Sequence, residues 1–320
     1  MPLMASSDSL IEPLPGFGSV PPGLPLVAAL TGHRDAGMVV RQVTDLMLDR
    51  LEHTTVAVFD ADALMDYRSR RPVVSLDGAN ISAIQMPRLD LRLMRDELGA
   101  PFLFLSGFEP DFHWPTFTEE LVALCSRLEV ASTTWISSIP MPVPHTRPVR
   151  LSVRGNRQSL IDAESVWAPR NDAPAHVLHL FEYELTRREQ EVAGLVLLVP
   201  HYLSEPAVPG AALTALTAIG TATGLILPAG DLRERDREFQ QQLDEQIAGN
   251  EEILRLVSTL EAQHDAYLAS LDRGGTFTDA RGELPSADEI ASELEQYLAM
   301  RREHGNDAGS GNRAEPDGGQ

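Results

Sequence analysis

From residue 24 onward the apolar residues of this chain fall into two recurring patterns. Short unbroken apolar runs predict buried strands, and residues spaced three and four apart predict helices. Leu26 to Leu30 is the first such strand, bounded by Pro25 and Gly32. Asp35 then stands where a helix N-cap would, ahead of Met38, Val39, Val43, Leu46, Met47 and Leu51 at helical spacing. Thr55 to Phe59 is a second buried strand. Pro72 to Leu76 and Ile81 to Met86 flank Asp77-Gly78, a strong hairpin signal, so Asp66 to Pro87 is expected to form a β-hairpin insertion. Phe102 to Leu105 is a further strand. Thr116 and Glu119 have the spacing of a capping box opening a helix over Leu121 to Leu128. Val130 to Ile139 is predicted as a strand, 176–188 as a helix, Gly194 to Val199 as a strand and Ala211 to Thr223 as a helix. Strands alternating with helices through short connections predict an α/β fold. Its mostly parallel central sheet would be covered on both faces, giving three α/β/α layers. No period of 20–50 residues recurs, which excludes a repeat protein.

The pattern changes beyond residue 230. The 231–271 segment is helical throughout, with a break at Gly249-Asn250. Phe239, Leu243 and Ile247 lie four apart, and Leu254, Val257, Leu260, His264, Tyr267, Leu268 and Leu271 continue the spacing. A loop from Gly274 to Pro285 precedes a second capping box, Ser286 with Glu289, and a helix to about Arg302. Four regions are therefore expected. Residues 1–23, rich in Pro, Gly and Ser, form a disordered or extended arm. Residues 24–230 form the α/β/α core, 231–303 a C-terminal acidic helical arm, and 304–320 a tail disordered by composition.

Charge narrows the function classes. The 320 residues carry 26 basic and 47 acidic side chains, a formal net charge of −21. Of these, 21 acidic and 9 basic residues lie in 231–320. Such an excess argues against nucleic-acid and anionic-membrane partners. Every basic residue is Arg, which excludes a Lys Schiff base, a P-loop lysine and a Ser–Lys dyad. The single Cys125 excludes an intramolecular disulfide and any multi-Cys metal site, and fits a reducing cytoplasm. The first residues show no basic n-region and no long apolar core, so no signal peptide is expected. The uncharged stretch Pro206 to Ala229, interrupted by Thr, Gly and Pro, is expected to be a buried helix and a strand rather than a membrane span.

Four polar motifs each follow a predicted strand. In an open parallel sheet they would meet at one edge, where ligands of such folds bind. The first is Thr31 to Gly37, containing His33 and Asp35. It is either an anion-binding strand–helix turn or a tight turn capped by Asp35. The second is Ser106 to Trp114. There Glu109, Asp111 and His113 are acid/base or ligand candidates, or else the carboxylates hold the loop over Trp114. The third is Val143 to Pro148, where His145 and Arg147 stand between prolines. Arg147 suits a bidentate carboxylate or phosphate, and it could equally clamp two loops together through Glu109 or Asp111. The fourth is Val199 to Tyr202, with His201 and Tyr202. No nucleophile elbow, HExxH or Ser/His/Asp order occurs, so no catalytic residues, metal ligands or cofactor are assigned. His53, His176, His179, His264 and His304 are expected to be solvated or to pack.

Together these motifs resemble the proteasome assembly chaperone family of the second-subunit type, in its actinobacterial branch. They are Gly32 with Asp35-Ala36-Gly37, Asp66 to Pro72, Gly107 with Glu109-Pro110-Asp111 and Trp114, Pro144 to Pro148, and Pro200-His201-Tyr202. They keep the family's order over about residues 24–270. The resemblance implies an architecture similar to the purine-nucleoside-phosphorylase type, self-association, and binding of proteasome α-subunits. It transfers no catalytic residue. Relatives that dock on the assembled α-ring use a C-terminal hydrophobic–Tyr–any-residue tail. The last residues here are Pro316 to Gln320, and the similar Gln296-Tyr297-Leu298 is internal, so that docking element is expected to be missing.

Two functions follow as expectations. One is a non-enzymatic, cytoplasmic, homo-oligomeric assembly or scaffold factor. The other is a small-molecule-binding protein or enzyme acting on an anionic or nucleoside-like ligand. In the second case Arg147 would clamp the ligand and a His or Glu would move the proton.

Overall fold

A computed structural model of the chain describes residues 9–168 and 172–271. The strands are β1 (Ile11–Pro13), β2 (Pro25–Thr31), β3 (His53–Phe59), β4 (Val73–Asp77), β5 (Asn80–Gln85), β6 (Leu89–Arg95), β7 (Pro101–Phe108), β8 (Ser132–Met141), β9 (Arg150–Gly155) and β10 (Val192–Pro200). The helices are α1 (Val39–Arg50), α2 (Ala61–Leu64), α3 (Trp114–Arg127), α4 (Gln158–Glu164), α5 (Val177–Arg187), α6 (Pro209–Thr223), α7 (Gly230–Ile247) and α8 (Glu251–Leu271). Eight strands form one sheet in the order β1-β3-β6-β7-β2-β8-β10-β9. Its centre, β7-β2-β8-β10, is parallel. β6 and β9 flank it antiparallel, β3 returns to the majority direction, and β1 closes the edge antiparallel. The sheet is thus mixed and mostly parallel.

Side-chain alternation builds the two outer layers. On β7, Phe102 and Phe104 face α1 and α6, while Leu103 and Leu105 face α3 and α5. On β2, Val27 and Ala29 join the first face and Leu26, Ala28 and Leu30 the second. All nine residues of β10 are buried, as a strand covered on both faces must be. The result is the three-layer α/β/α arrangement. The described residues up to Ala269 form one compact unit. α7 adds Leu232, Leu243 and Ile247 to the α1/α6 side of the core, and α8 buries Val257 and Leu260. The break between these helices falls at residues 248–250. Residues 9–23 run extended: β1 pairs with β3, and a short 3-10 turn over Pro15–Ser19 follows. The helix expected up to Arg302 and the tail 304–320 lie outside the described residues.

Several local expectations are corrected. The helix after β7 opens two residues before the Thr116/Glu119 box, at Trp114-Pro115. A proline is tolerated there because the first-turn N–H has no helical partner, and Trp114 Nε1 donates to Pro110 O at 2.6 Å. α1 begins at Val39, so Met38 and not Asp35 directly precedes it. Asp35 reaches forward instead, accepting from Val40 N at 2.8 Å and Arg41 N at 3.1 Å. The strand expected after α6 is absent. Gly224, left-handed at φ 78°, ends the helix, and residues 224–229 connect it to α7 without a strand. The apolar pattern gives no strand over β6, because Asp90 and Arg92 interrupt it. In the fold Arg92 donates to Asp90 at 2.6 Å and to Ser106 at 2.7 Å, so the charges are paired inside the sheet. The expected hairpin is present as a separate two-stranded sheet, β4-β5.

Candidate functional site

The carboxyl ends of β7, β2, β8 and β10 lie side by side, so the four motifs share one edge of the sheet. Their side chains form two separate networks. The first joins His33, Glu109 and Asp111 to Asp66 and Arg70 at the hairpin root and to His176 and His179 at the start of α5. Glu109 is buried; its N–H donates to Thr31 O at 2.7 Å, and its Oε1 accepts from Val177 N, also at 2.7 Å. It therefore fills the positive N-terminus of α5, the position an anionic ligand would take. Burial raises the Glu109 carboxyl above the usual range, against the pull of that N–H and of Arg70. Asp111 accepts from Arg70 Nη1 at 2.9 Å and from Asp66 N at 2.8 Å, tying the hairpin root to the loop after β7. Arg70 also passes over Gly32, where a Cβ would come within 2.5 Å of the guanidinium. This explains the glycine at φ 114°.

Beside Glu109 three imidazoles pack in a row. The ring centroids of His33 and His176 are 5.3 Å apart, and those of His176 and His179 4.1 Å. Trp135 meets His176 and His179 edge-on at 5.0 and 5.2 Å, and its Nε1 donates to Glu182 at 2.9 Å. His176 caps α5 by accepting from Leu178 N at 3.2 Å, and its own N–H donates to His179 Nδ1 at 3.1 Å. Both rings thus accept at Nδ1, and the neutral forms carry hydrogen at Nε2. Burial holds His176 down to about 2 and His179 down to about 4, with Arg154 and the neighbouring imidazoles adding to it. Burial and then Arg34 lower His33. Leu30, His33, Arg34, Glu109, Ser137 and His176 enclose about 10 Å³, room for one water. Ligand sites commonly need roughly 300 Å³ or more.

The second network holds His145, Arg147 and Tyr202. His145 N–H donates to Tyr202 Oη at 2.7 Å, and the phenol in turn lies 2.7 Å from His145 Nδ1. Burial pushes Tyr202 up to about 12 and lowers His145 against the opposing charges of Asp244 and Glu261. His201 stacks edge-on against Tyr202 with centroids 5.3 Å apart. Arg147 does not reach Glu109 or Asp111; its carboxylates come from α8. It holds Asp265 with two bonds, Nε to Oδ1 at 3.0 Å and Nη2 to Oδ2 at 2.7 Å, and Glu261 with a third at 3.0 Å. Thr146 adds a bond to Glu261 at 2.6 Å, and Tyr267 donates to Val166 O at 2.5 Å. The bond to Arg147 holds Asp265 down at about 2.

The remaining candidates hold loops. Asp35 caps α1 and also accepts from Ser138 Oγ at 2.9 Å, joining β2 to β8. Trp114 anchors its own turn. His176 and His179, expected only to pack or be solvated, are central to the first network; their spacing of three at a helix start was the available signal. Glu261 and Asp265 gave no signal, since an acidic pair on an acidic helix is unremarked in sequence. Cys125 is buried with its thiol pushed up to about 12, so it is no nucleophile. Among the described residues no group of three or more His, Cys, Asp or Glu could hold a metal ion, and no helix is long and apolar enough to cross a membrane.

The Arg147 latch yields a direct expectation. Arg147→Ala should raise amide hydrogen exchange severalfold along α8 while β8 and β10 keep their protection, because the lost bonds hold only the arm. Unchanged exchange in α8 would show that apolar contacts alone seat the helix.

A family model described as the PAC2 family matches residues 29–247. Among solved structures, a Corynebacterium glutamicum protein of unknown function is 34% identical with a TM-score of 0.77; the alignment covers 81% of this chain and 98% of that one. A Mycobacterium tuberculosis protein of unknown function is 32% identical, also with a TM-score of 0.77, over 85% of this chain and 94% of its own. A second M. tuberculosis protein, a proteasome-assembly chaperone homologue, shares the fold at 24% identity and a TM-score of 0.67, over 73% of this chain and 100% of that one. No curated protein matches the chain.

Proposed function

This chain belongs to the PAC2 family, with actinobacterial relatives, and on that premise we propose that it is a non-enzymatic, protein-binding assembly or scaffold factor that engages proteasome α-subunits. The observation that carries this reading is the fold it shares with the whole length of the proteasome-assembly chaperone homologue. The strand-edge groups add support. Glu109, Asp111 and Arg147 spend their charges on the chain's own N–H groups and side chains, and the space between the imidazoles is that of a water. The edge motifs are then the joints of a rigid recognition scaffold, and the small-ligand alternative lacks room there. The division of labour we favour has residues 24–230 as the binding core and 231–303 as an acidic arm, of which α8 is strapped to the core through Arg147. The protein would work in the cytoplasm as a homo-oligomer, shielding an apolar subunit surface until assembly covers it, with roughly 1,200–2,000 Å² buried per stable contact.

The test is capture by the full-length protein from its native lysate, read by quantitative mass spectrometry, followed by assembly of purified α-subunits with and without it. Stoichiometric recovery of α-subunits with an altered assembly rate is expected. Recovery of the bait alone, with an unchanged rate, would overturn the proposal.

A further inference from the structure

The small space beside the imidazoles, at the carboxyl edge of β2 and β8, is lined by donors that the two networks leave unused. His33 and Arg34 come from the β2–α1 turn, Ser137 from β8 and His176 from the cap of α5. Among the described residues the Arg34 guanidinium, the Ser137 hydroxyl and the His33 ring meet no hydrogen-bond acceptor. His176 is only 5% exposed; its Nδ1 accepts from Leu178 N, while its Nε2 is buried and has no partner. With Nδ1 accepting, Nε2 carries the hydrogen and is a donor. A buried donor is costly to leave unmet, so its acceptor has to be supplied by something the chain itself does not contain.

The donors are held in place in advance. Asp35 accepts from Ser138 Oγ at 2.9 Å and bridges to that residue, which pins the turn bearing Arg34 beside Ser137. Glu109 bonds to Thr31 O and to Val177 N, which fixes the end of β2 and the start of α5 around the same space. Groups ordered beforehand lose little freedom on meeting a ligand. The space is about 10 Å³, enough for one oxygen atom and too small for a whole molecule, so only the tip of a ligand enters. Arg34 is exposed, and His33 and Ser137 are half-buried, so the notch is reached from solvent. Glu109 is the one acid in the lining. Burial raises its carboxyl, and an entering anion raises it further, so it meets the ligand in its neutral, donating form.

We propose that this notch receives a carboxylate carried by a bound protein, the tip of a glutamate or aspartate side chain. One oxygen enters among His33, Ser137 and the Nε2–H of His176, and the other pairs with the Arg34 guanidinium, whose planar fork suits a carboxylate. The unmet donors select an anion. The size selects a planar carboxylate over a bulkier tetrahedral phosphate. The shallow depth leaves the rest of the ligand outside, as a side chain projecting from a protein surface requires. The net charge of −21 opposes an acidic partner at long range. At physiological salt that field is screened over about 8 Å, so the local donors decide the contact.

This assignment rests on the protein-binding part of the proposed function, and its test is separate from α-subunit capture. The probes are a blocked tripeptide with a central glutamate, its glutamine counterpart, and acetate. Each is titrated at millimolar concentration into the full chain carrying ring-labelled histidine, and the His33 and His176 resonances are followed by NMR. The same titrations are run on Arg34→Gln, an exposed position where the substitution leaves the fold intact. Saturable shifts of both resonances with the glutamate peptide are expected, with none from the glutamine peptide. In Arg34→Gln the affinity should fall at least about tenfold. Equal responses to the two peptides, no response to either, or an unchanged affinity in Arg34→Gln would each overturn the notch. Acetate binding without peptide binding would overturn the protein-borne ligand. Loss of the peptide response while α-subunits are still captured would sink the notch alone. Peptide binding without α-subunit capture would support the notch and sink only the α-subunit reading.

Discussion

Gly107→Ala is expected to destabilise the protein by about 3 kcal/mol or more, lowering the urea midpoint in proportion and the thermal midpoint by several degrees. Gly107 lies in β7 at φ 139°, one residue from the strand end that launches Glu109. A Cβ there would stand 2.1 Å from Arg88 O and 2.7 Å from Leu89 Cα. Both are backbone atoms, so no side-chain rotation relieves the clash. Leu89 is the direct ladder partner of Gly107, and Phe108 N–H donates to Arg88 O at 3.0 Å. Moving β6 away would break that bond and pull on the β7–α3 loop that carries Glu109 and Asp111. Gly78→Ala is the control. Its φ is also positive, at 60°, but nothing lies within 4 Å of its Cβ position, so it should cost only about 1–2 kcal/mol of left-handed strain. Equal midpoints for the two variants would show that the sheet yields at Gly107.

The second large effect is on pH dependence. His176 and His179 have folded pKa values below their unfolded value near 6.5, at about 2 and about 4. The folded state therefore binds fewer protons than the unfolded one. The stability they contribute is complete above about pH 6.5 and is lost as the pH falls through 6.5 toward 4 and below. Between pH 7 and pH 5 the loss should reach about 3 kcal/mol for the pair. Glu109 and Glu182 oppose this. Burial raises both, so their contribution grows as the pH falls, and it softens the acid limb. The charged and titratable groups around the imidazoles are His33, Arg34, Arg154, Glu109 and Glu182, and none supplies a carboxylate bond to either imidazole among the described residues. His176→Asn keeps an N-cap acceptor for Leu178 N and removes the titrating ring. Urea midpoints measured from pH 7 to pH 5 should fall about half as far in that variant as in the wild type. Parallel curves would mean that the acid sensitivity arises elsewhere.

The core was legible because burial on two faces imposes unbroken apolar runs. β2, β7 and β10 stood out on that ground, as did the hairpin through Asp77-Gly78. β6 was hidden by Asp90 and Arg92, whose charges cancel only once Arg92, Asp90 and Ser106 meet across neighbouring strands. The helix start at Trp114 was misplaced because Thr116 and Glu119 carry a valid local signal. The tertiary bond from Trp114 to Pro110 and the proline in the first turn outweighed it.

Local pattern thus determined the layers, the strands β2, β3, β7, β8 and β10 with their main helices, and the position of each polar motif at a strand end. All of these depend on neighbours within a few residues or on alternation along one element. Only the tertiary structure decided what the motifs do. Arg147 finds its carboxylates 114 and 118 residues away on α8, and Glu109 finds its N–H 68 residues away on α5. Burial then shuts His176 into its neutral form. Such pairings are set by the packing of elements against one another. Many different acidic residues would have satisfied Arg147 equally well in sequence, and only the docking of α8 on the core selects Glu261 and Asp265.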